Sequence, residues 1–372
     1  MKGKVLCGMS GGVDSSVSAC LLKEQGYDVV GCTMRLFDNE DIGAGMESSC
    51  CSLRDVDDAK SVCYRLGLQH YVFNFAEDFR RTVMQPFADS YLHGLTPNPC
   101  INCNRYMKFG KLVGRAREIE MDYVATGHYG QIVQENGRWL LKKSVDTKKD
   151  QTYFLYNLTQ EQMAHFLLPL GGLTKVEVRE IAAQHGFLNA RKQEQRLVSA
   201  RKRDSQDICF VPNGDYGGFI EHFTGTTVPC GNYIDREGNV LGTHKGHIRY
   251  TLGQRKNLNI ALGKRAYVVD KDVNANTVTL GDNNELFSDG LIATDLNLIA
   301  CDRIDQPIRC TAKTRHTQLE TPCTVEQTGE DELLVRFDTP VRAVTPGQAV
   351  VLYDGDVVLG GGTIVRPWDG HR

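Results

Sequence analysis

The sequence predicts an α/β protein: a parallel sheet, then a small middle domain, then a C-terminal β-barrel. Three observations predict it. Through roughly the first two hundred residues, short apolar runs alternate with helical patterns, as a parallel sheet covered on both faces requires. A glycine-rich turn, "MSGGVDSS" at 9–16, joins the first apolar run to the first helical pattern. From about residue 230 onward Gly, Thr and Val rise, and short strand patterns are separated by turns such as "DREGN", "GDNN" and "GDV", the pattern of a small all-β barrel or sandwich.

Taken in order, "KVLCGM" reads as a buried strand, and "DSSVSACLLKEQGY" as a helix with Val17, Cys20 and Leu21 at helical spacing and Gly26 near its end. "DVVGCTMRLF" is a second strand, "DVDDAKSVCYRLGL" a second helix and "HYVFNF" a third strand. "FRRTVMQPFADSYLHG" is helical, with Pro86 kinking it or ending its first part. A loop rich in Pro, Asn and Cys leads to the helix "MKFGKLVGRAREIEM" and the strand "DYVATGHY". "GQIVQENGRWLLKKS" predicts a hairpin turning at Asn136-Gly137, and "TQEQMAHFLL" and "TKVEVREIAAQHG" predict short helices. The expected domains are an α/β domain at 1–212, a small central domain at 213–290 and a β-barrel at 291–372.

The chain has 372 residues, with 43 Lys and Arg against 46 Asp and Glu, a formal net charge of −3. That balance argues against a surface coated for nonspecific nucleic-acid binding, although a local basic face can still exist. Leu241 to Val269 holds Lys245, Arg249, Arg255, Lys256, Lys264 and Arg265 and no acid, a solvated loop or a phosphate-binding surface. No apolar run is long enough to span a membrane, and no export signal precedes the glycine loop, so the expectation is a cytoplasmic protein. Its 13 cysteines then read as reduced thiols. Cys7, Cys20, Cys32 and Cys63 sit in apolar contexts and read as core residues. Adjacent Cys50 and Cys51 suit a loop better than one tetrahedral ion. His70, His165, His222 and His247 lack partner spacing and read as structural.

A strand running into a glycine-rich turn and then a helix aims several backbone N–H groups in one direction, and the helix dipole adds positive charge there. Gly11 and Gly12 allow close approach of the backbone. Ser10, Ser15 and Ser16 offer hydroxyls to phosphate oxygens, and Asp14 is a candidate to hold Mg²⁺ or to cap the helix. The loop matches neither the Walker nor the Rossmann pattern. Farther on, "TPNPCINCN" at 96–104 carries Cys100 and Cys103 at C-x-x-C spacing, suited to a shared metal, a disulfide or an activated thiolate. "DSQDICFVP" at 204–212 carries Cys209, which only folding brings to the same place. No second C-x-x-C exists, so spacing does not support a four-cysteine zinc site.

Ser10 to Ser16 resembles the pyrophosphatase loop of the N-type ATP pyrophosphatases, which split ATP between its α and β phosphates and use the AMP to activate an oxygen. With the two cysteine loops, "ATGHY" (125–129), "KDQTYFL" (149–155) and "RYTLGQRK" (249–256), the chain resembles the tRNA-specific 2-thiouridylases, in the same order along nearly its whole length. The resemblance implies an ATP pyrophosphatase-type sheet, and ATP with Mg²⁺. It implies 2-thiolation of a wobble uridine through adenylation of its O2 and sulfur transfer from a cysteine persulfide. It implies that Gly8, Met9, Ser10, Gly11, Gly12, Val13, Asp14, Ser15, Met34 and Gly127 hold the nucleotide. Asn98, Pro99 and Cys100 would border a flipped uridine. Cys103 would be the nucleophile and Cys209 the persulfide carrier. His128, Lys149, Asp150 and Gln151, with Arg315, His316 and Gln348 in the barrel, would contact the anticodon arm of tRNA. The sulfur would come from an outside donor such as a cysteine desulfurase relay or sulfide. Either order of sulfur transfer needs thiolates of lowered pKa, to which Lys108 or Arg105 would contribute.

Two features depart from the family pattern. Many members have aspartate where this chain has Cys100, so Cys100, Cys103 and Cys209 could instead hold three irons of a [4Fe–4S] cluster. About ten extra residues, Gln193 to Lys202, precede the Cys209 loop, and Ala-Arg-Lys occurs twice, at 190–192 and 200–202, as a basic loop or an extra tRNA contact. Competing readings are a thiolating enzyme for another nucleotide, a tRNA-binding module with a relict ATP loop, and a small-molecule synthetase, which would not need the basic barrel.

Overall fold

The computed structural model describes residues 2–43, 53–187, 208–211 and 214–370. Cys50, Cys51, the 193–202 stretch and the repeated Ala-Arg-Lys lie outside them. The chain divides into two compact units: Met1–Val83, Cys100–Gly214 and Asp356–Val358 in the first, and Met84–Pro99, Asp215–Gly355 and Leu359–Arg372 in the second.

The first unit is built on a parallel sheet of β1 (Lys4–Gly8), β2 (Asp28–Arg35), β3 (His70–Asn74), β4 (Tyr123–Ala125) and β7 (Phe166–Leu167). Their order is β3-β2-β1-β4-β7, and every neighbouring pair is parallel. Val5, Leu6 and Cys7 of β1 are wholly buried, as a central strand covered on both faces must be. Helix α1 (Val13–Glu24) follows β1, α2 (Leu53–Arg65) follows β2, and α9 (Lys175–Gln184) packs beside α1. Val17, Cys20 and Leu22 of α1 join Val178 and Ala182 of α9 in one core with Val5 and Cys7. Cys7, Cys20, Cys32 and Cys63 are buried thiols, as expected, and Cys20 Sγ also lies 3.8 Å from Glu24 Oε1.

The predicted hairpin forms as β5 (Gln131–Glu135) and β6 (Arg138–Lys142). Asn136 and Gly137 both have positive φ, 51° and 81°, the conformation a two-residue type I′ turn demands. "TQEQMAHFLL" is helical only over α8 (Gln160–Ala164), and Phe166–Leu167 then pairs with β4 as β7. That pairing requires an extended backbone.

The helix expected around Pro86 runs unbroken from α3 (Ala76–Phe79) through a π-helical turn, Arg80–Met84, into α4 (Gln85–Leu92), so Pro86 follows a π turn and does not end the helix. Residues 84–99 were expected in the α/β domain but group with the second unit. The reason is aromatic packing: Phe87 and Tyr91 of α4 meet Tyr216 at 6.2 Å each, and Phe87 meets Phe219 at 6.0 Å, both from the helix Tyr216–Thr224.

The rest of the second unit contains two sheets. One has four strands in the order β10 (Tyr267–Asp272), β11 (Thr277–Gly281), β8 (Gly231–Ile234) and β9 (Val240–His244), with a core of Tyr233, Tyr250, Val268, Val278 and Leu280. The other runs β12 (Phe287–Leu298), β15 (Glu332–Arg342), β14 (Thr321–Gly329), β13 (Ile308–Lys313), β16 (Ala349–Asp354) and β17 (Val357–Trp368). Strand β12 pairs with both β15 and β17, which closes a six-stranded barrel and removes its edges.

Candidate nucleotide and thiol site

In an open α/β sheet, ligands gather beyond the carboxyl ends of the strands where the strand order reverses. Here that place is β1, flanked by β2 and β4. Gly8 ends β1, Met34 lies near the end of β2, and Gly127 follows β4, so the residues expected to hold the nucleotide share one edge of the sheet. Helix α1 begins there with Gly12 as its N-cap and no side-chain cap, which leaves its first-turn N–H groups to a ligand. Gly11 has φ +75°, and a Cβ there would lie 2.6 Å from the Asp55 carbonyl oxygen. A Cβ on Gly127 would lie 2.8 Å from the Ser15 nitrogen and 2.9 Å from the Asp14 carbonyl carbon. Two backbones thus crowd the start of α1, and only glycine fits at either position. These features fit a bound polyphosphate.

The side chains of Met9 and Val13 are core, so these residues offer the ligand only their backbone. Ser10 N–H donates to Ser15 Oγ at 3.2 Å, and Ser15 Oγ donates to the Gly12 carbonyl at 3.1 Å. Ser16 is fully buried and donates to the same carbonyl at 2.8 Å, so the expected hydroxyl contact of Ser16 with phosphate is corrected: it caps the turn from inside.

Asp14 is also corrected. It neither caps α1 nor stands open to Mg²⁺, because Lys175 Nζ lies 2.6 Å from Oδ1 and 2.7 Å from Oδ2, and Tyr129 Oη donates to Oδ1 at 2.8 Å. A carboxylate carrying an ammonium and a phenol is already neutralised, and the residues here do not fit a magnesium site on Asp14. Burial, then the Asp14 charge, push the Tyr129 phenol upward, which keeps it a donor. Lys175, the first residue of α9, had no signal in the sequence. It is 161 residues from Asp14, and only the packing of α9 on α1 joins them.

The thiol region begins with the short helix α5 (Pro99–Asn102) and continues without a break through a π-helical segment, Cys103–Lys111, into α6 (Leu112–Glu118). The helix therefore starts eight residues before the expected "MKFGK" and includes both cysteines. π-Helical segments concentrate at functional sites. Cys100 is exposed and Cys103 half-buried. Asn104 anchors the segment through Nδ2 to the Phe154 carbonyl at 2.9 Å. Lys108 Nζ lies 3.1 Å from His128 Nε2, and His128 Nδ1 lies 2.6 Å from Thr126 Oγ1. An ammonium only donates, so Nε2 accepts and Nδ1 carries the proton. Burial, then Lys108, hold the imidazole well below its ordinary range, and His128 is neutral.

The thiols do not have the lowered pKa values expected. Although the Cys100 side chain meets solvent, the protein around it dominates: burial pushes the thiol up to about 11, Cys103 adds to this, and Lys108 opposes it. Burial raises Cys103 as well, again against Lys108. The cation acts in the expected direction and desolvation outweighs it.

Cys209 is exposed at a turn closed by Val211 N–H to the Ile208 carbonyl at 2.9 Å. Its neighbour Phe210 is buried and meets Phe79 of α3 edge-on at 5.6 Å, a contact worth ~1 kcal/mol beyond burial. Helix α3 in turn packs on the segment that starts at Cys103, and Lys111 pairs with Asp78 at 2.8 Å. Phe79 thus links the Cys209 turn to the Cys103 helix across a hundred residues of sequence. Among the described residues Cys100, Cys103 and Cys209 form no group converging on a single metal ion.

Several residues expected at the tRNA are engaged within the protein. Asp150 is buried, accepting from Ser144 N–H at 2.9 Å and Thr152 Oγ at 2.6 Å. Gln151 accepts from Tyr129 N–H at 3.0 Å. In the second unit, Arg315 Nη2 donates to the carbonyls of Leu252 and Ala343 and to Thr345 Oγ1. Gln348 Nε2 donates to the carbonyls of Thr96 at 2.8 Å and Pro97 at 3.3 Å, immediately before Asn98 and Pro99 in the chain. Lys149 and His316 are both half-buried. Of the basic stretch, Arg249 pairs with Asp215 and Glu221, while Lys245, Arg255, Lys256 and Arg265 are exposed. Among the described residues no helix is long and apolar enough to cross a membrane.

Three family models match in succession: a tRNA methyl transferase HUP domain over residues 3–213, a tRNA methyl transferase PRC-barrel domain over 217–282 and an aminomethyltransferase beta-barrel domain over 288–364. The tRNA-specific 2-thiouridylase MnmA of Lachnoclostridium phytofermentans is 50% identical over 365 residues, covering 98% of this chain and 99% of its own. The protein of the same name from Acetivibrio thermocellus is 50% identical over 366 residues, and that from Clostridioides difficile 49% over 368, with the same coverage of both chains. The methyl transferase wording belongs to single-domain descriptions. The full-length relatives agree on thiolation.

Proposed function

This chain belongs to the tRNA-specific 2-thiouridylase family, and from that premise we propose that it replaces O2 of a tRNA wobble uridine with sulfur, cleaving ATP to AMP and pyrophosphate. The observation that carries the reading is the segment Thr126–Tyr129. Gly127 lies against the first turn of α1, Tyr129 donates to Asp14, and His128 accepts from Lys108 of the Cys103 helix. Four consecutive residues thus couple the nucleotide loop to a thiol, the two parts that adenylation followed by sulfur transfer requires.

Uridine O2 attacks the α-phosphorus of ATP and pyrophosphate leaves. The base must first leave its stack, at a cost of a few kcal/mol. Lys175 and Tyr129 hold Asp14 away from the phosphates, whose like charge would repel it, while the uncapped N-terminus of α1 faces them. Sulfur arrives as a persulfide on Cys209 from an outside donor, a desulfurase relay or sulfide with an oxidant. In one order, the Cys103 thiolate attacks the Cys209 sulfur. A Cys103–Cys209 disulfide forms, and the released HS⁻ attacks C2 as AMP departs with the former O2. In the other, the terminal persulfide sulfur attacks C2 first and Cys103 then breaks the S–S bond. Both end in a disulfide that an external dithiol must reduce by two electrons. Lys108 stabilises the Cys103 thiolate when it forms. Lys149 and His316 are assigned to tRNA contact. Asp150, Gln151, Arg315 and Gln348 shape the backbone that makes it, and Asn98, Pro99 and Cys100 border the base.

The test combines the purified protein with tRNA, ATP and a persulfide donor, and measures pyrophosphate and 2-thiouridine. Both products are expected. Cys103→Ser and Cys209→Ser should retain tRNA-stimulated pyrophosphate release but lose thiolation, and Cys100→Asp should retain both. About four irons per chain, with iron and activity lost together in Cys100→Asp, would sink the persulfide route. Pyrophosphate release indifferent to tRNA would sink the assignment itself.

A further inference from the structure

Cys20 and Glu24 stand one turn apart on α1, four residues being the spacing that puts two side chains on one helix face. His185 is the C-cap of α9. The Cys20 sulfur lies 3.8 Å from Glu24 Oε1, His185 Nε2 lies 3.2 Å from the same oxygen, and all three ligand atoms lie within 4.8 Å of one another. A tetrahedral zinc with bonds of about 2.0–2.3 Å sets its ligand atoms about 3.3–3.8 Å apart, and the measured edges of 3.2 and 3.8 Å lie within about 0.1 Å of that range. The residue types match as well: a thiolate, an imidazole and a carboxylate form a borderline-soft set that suits Zn²⁺.

The surroundings hold this set in place. His185 stacks on Phe187 at 5.8 Å, and its carbonyl and that of Gly186 accept from Arg65 of α2 at 3.4 and 2.7 Å. Lys23 donates to the Leu66 carbonyl. A bare His–Glu pair at this half-exposed place would be worth little, and the buried sulfur turned toward the same carboxylate oxygen is what such a pair does not require.

We propose that Cys20, Glu24 and His185 form a zinc site, with water as the fourth ligand, that clasps the C-terminal ends of α1 and α9. The Lys175–Asp14 ion pair already joins these helices at their N-terminal ends, where α1 opens the nucleotide loop. Ten residues separate Asp14 from Glu24 and ten separate Lys175 from His185, about 15 Å along each helix, so the metal and the ion pair would fix two parallel helices at both ends.

Cobalt(II), titrated into chelator-stripped full-length protein, tests this. The background is Cys100→Ala/Cys103→Ala/Cys209→Ala, so that those thiols contribute no signal. One equivalent of tetrahedral cobalt with a thiolate charge-transfer band is expected, displaced by Zn²⁺. His185→Ala and Glu24→Gln, both at exposed or half-exposed positions, should weaken it at least tenfold, and Cys20→Ala should remove the charge-transfer band. Zn²⁺ should also raise the melting temperature of the parent and leave that of His185→Ala unmoved. Absence of the band, or the same stoichiometry and spectrum in His185→Ala, would overturn the site. Neither result bears on thiolation, which the pyrophosphate and 2-thiouridine assays read separately.

Discussion

In the parallel sheet, β1 ends between β2 and β4, with the chain running from β1 through β2 to β3 on one side and from β4 to β7 on the other. Backbone donors at the start of α1 are left without a side-chain cap. In the barrel, β12 meets both β15 and β17, and two side chains expected at tRNA are spent on backbone: Arg315 and Gln348 each donate to two backbone carbonyls. An open sheet leaves donors for a ligand by its topology. A closed barrel leaves no strand edge to a ligand, and Arg315 and Gln348 fix the backbone of neighbouring segments. A motif residue in the first region is read as a contact, and in the second as a support.

Four substitutions can break or sharpen that contrast. Cys103→Ser should have the largest effect, lowering thiolation by ~10³-fold or more as loss of a nucleophile does, with adenylation preserved. Equal loss of both half-reactions would show that the thiol helix and the nucleotide loop are not separable. Gly127→Val should lower pyrophosphate release ~10²-fold, the scale of a displaced reacting group, because its side chain would push Gly127 off the first turn of α1. An unchanged KM for ATP would remove the close-approach argument. Gln348→Ala should cost about tenfold in kcat/KM for tRNA, the worth of one or two hydrogen bonds, with KM for ATP unchanged. As a support for Thr96 and Pro97 it should also speed proteolysis within residues 92–99. A loss of tRNA affinity with unaltered proteolysis would make Gln348 a direct contact.

The smallest effect concerns protonation. Burial raises Cys100 to about 11 from an ordinary 9.0, so in the absence of tRNA its alkylation should keep accelerating between pH 9 and 11, where a free thiol has levelled off. Lys108→Met removes an opposing cation and should slow alkylation further at pH 8. The same sign governs stability. Cys7, raised to about 12 by burial, keeps its proton when the unfolded chain has lost it. The native state then binds more protons above pH 9, and stability present below pH 9 should fall as pH rises toward 12. A melting temperature flat from pH 8 to 11 would contradict this.

Much was legible in local pattern. The strand, glycine turn and helix of residues 4–24, the hairpin at Asn136-Gly137 and the core role of Cys7, Cys20, Cys32 and Cys63 follow from periodicity and from the positive φ that only certain residues adopt cheaply. The cysteine loops stood out by their prolines and spacing, and the family resemblance supplied their roles. Less legible were the pieces whose partners are distant. Residues 84–99 left the α/β unit because Phe87 and Tyr91 found Tyr216 and Phe219. The π-helical start at Cys103 has no sequence signature.

By itself the sequence determined the alternation of strands and helices, the glycine turn that opens α1 and the hairpin at Asn136-Gly137, because each depends on neighbours within a few positions. Only the tertiary structure decided that Lys175 neutralises Asp14, that His128 stays neutral between Lys108 and Thr126, and that burial outweighs Lys108 at the thiols. Charge state and desolvation depend on which groups folding brings within a few ångströms and how much water it removes, and neither quantity is local to the chain.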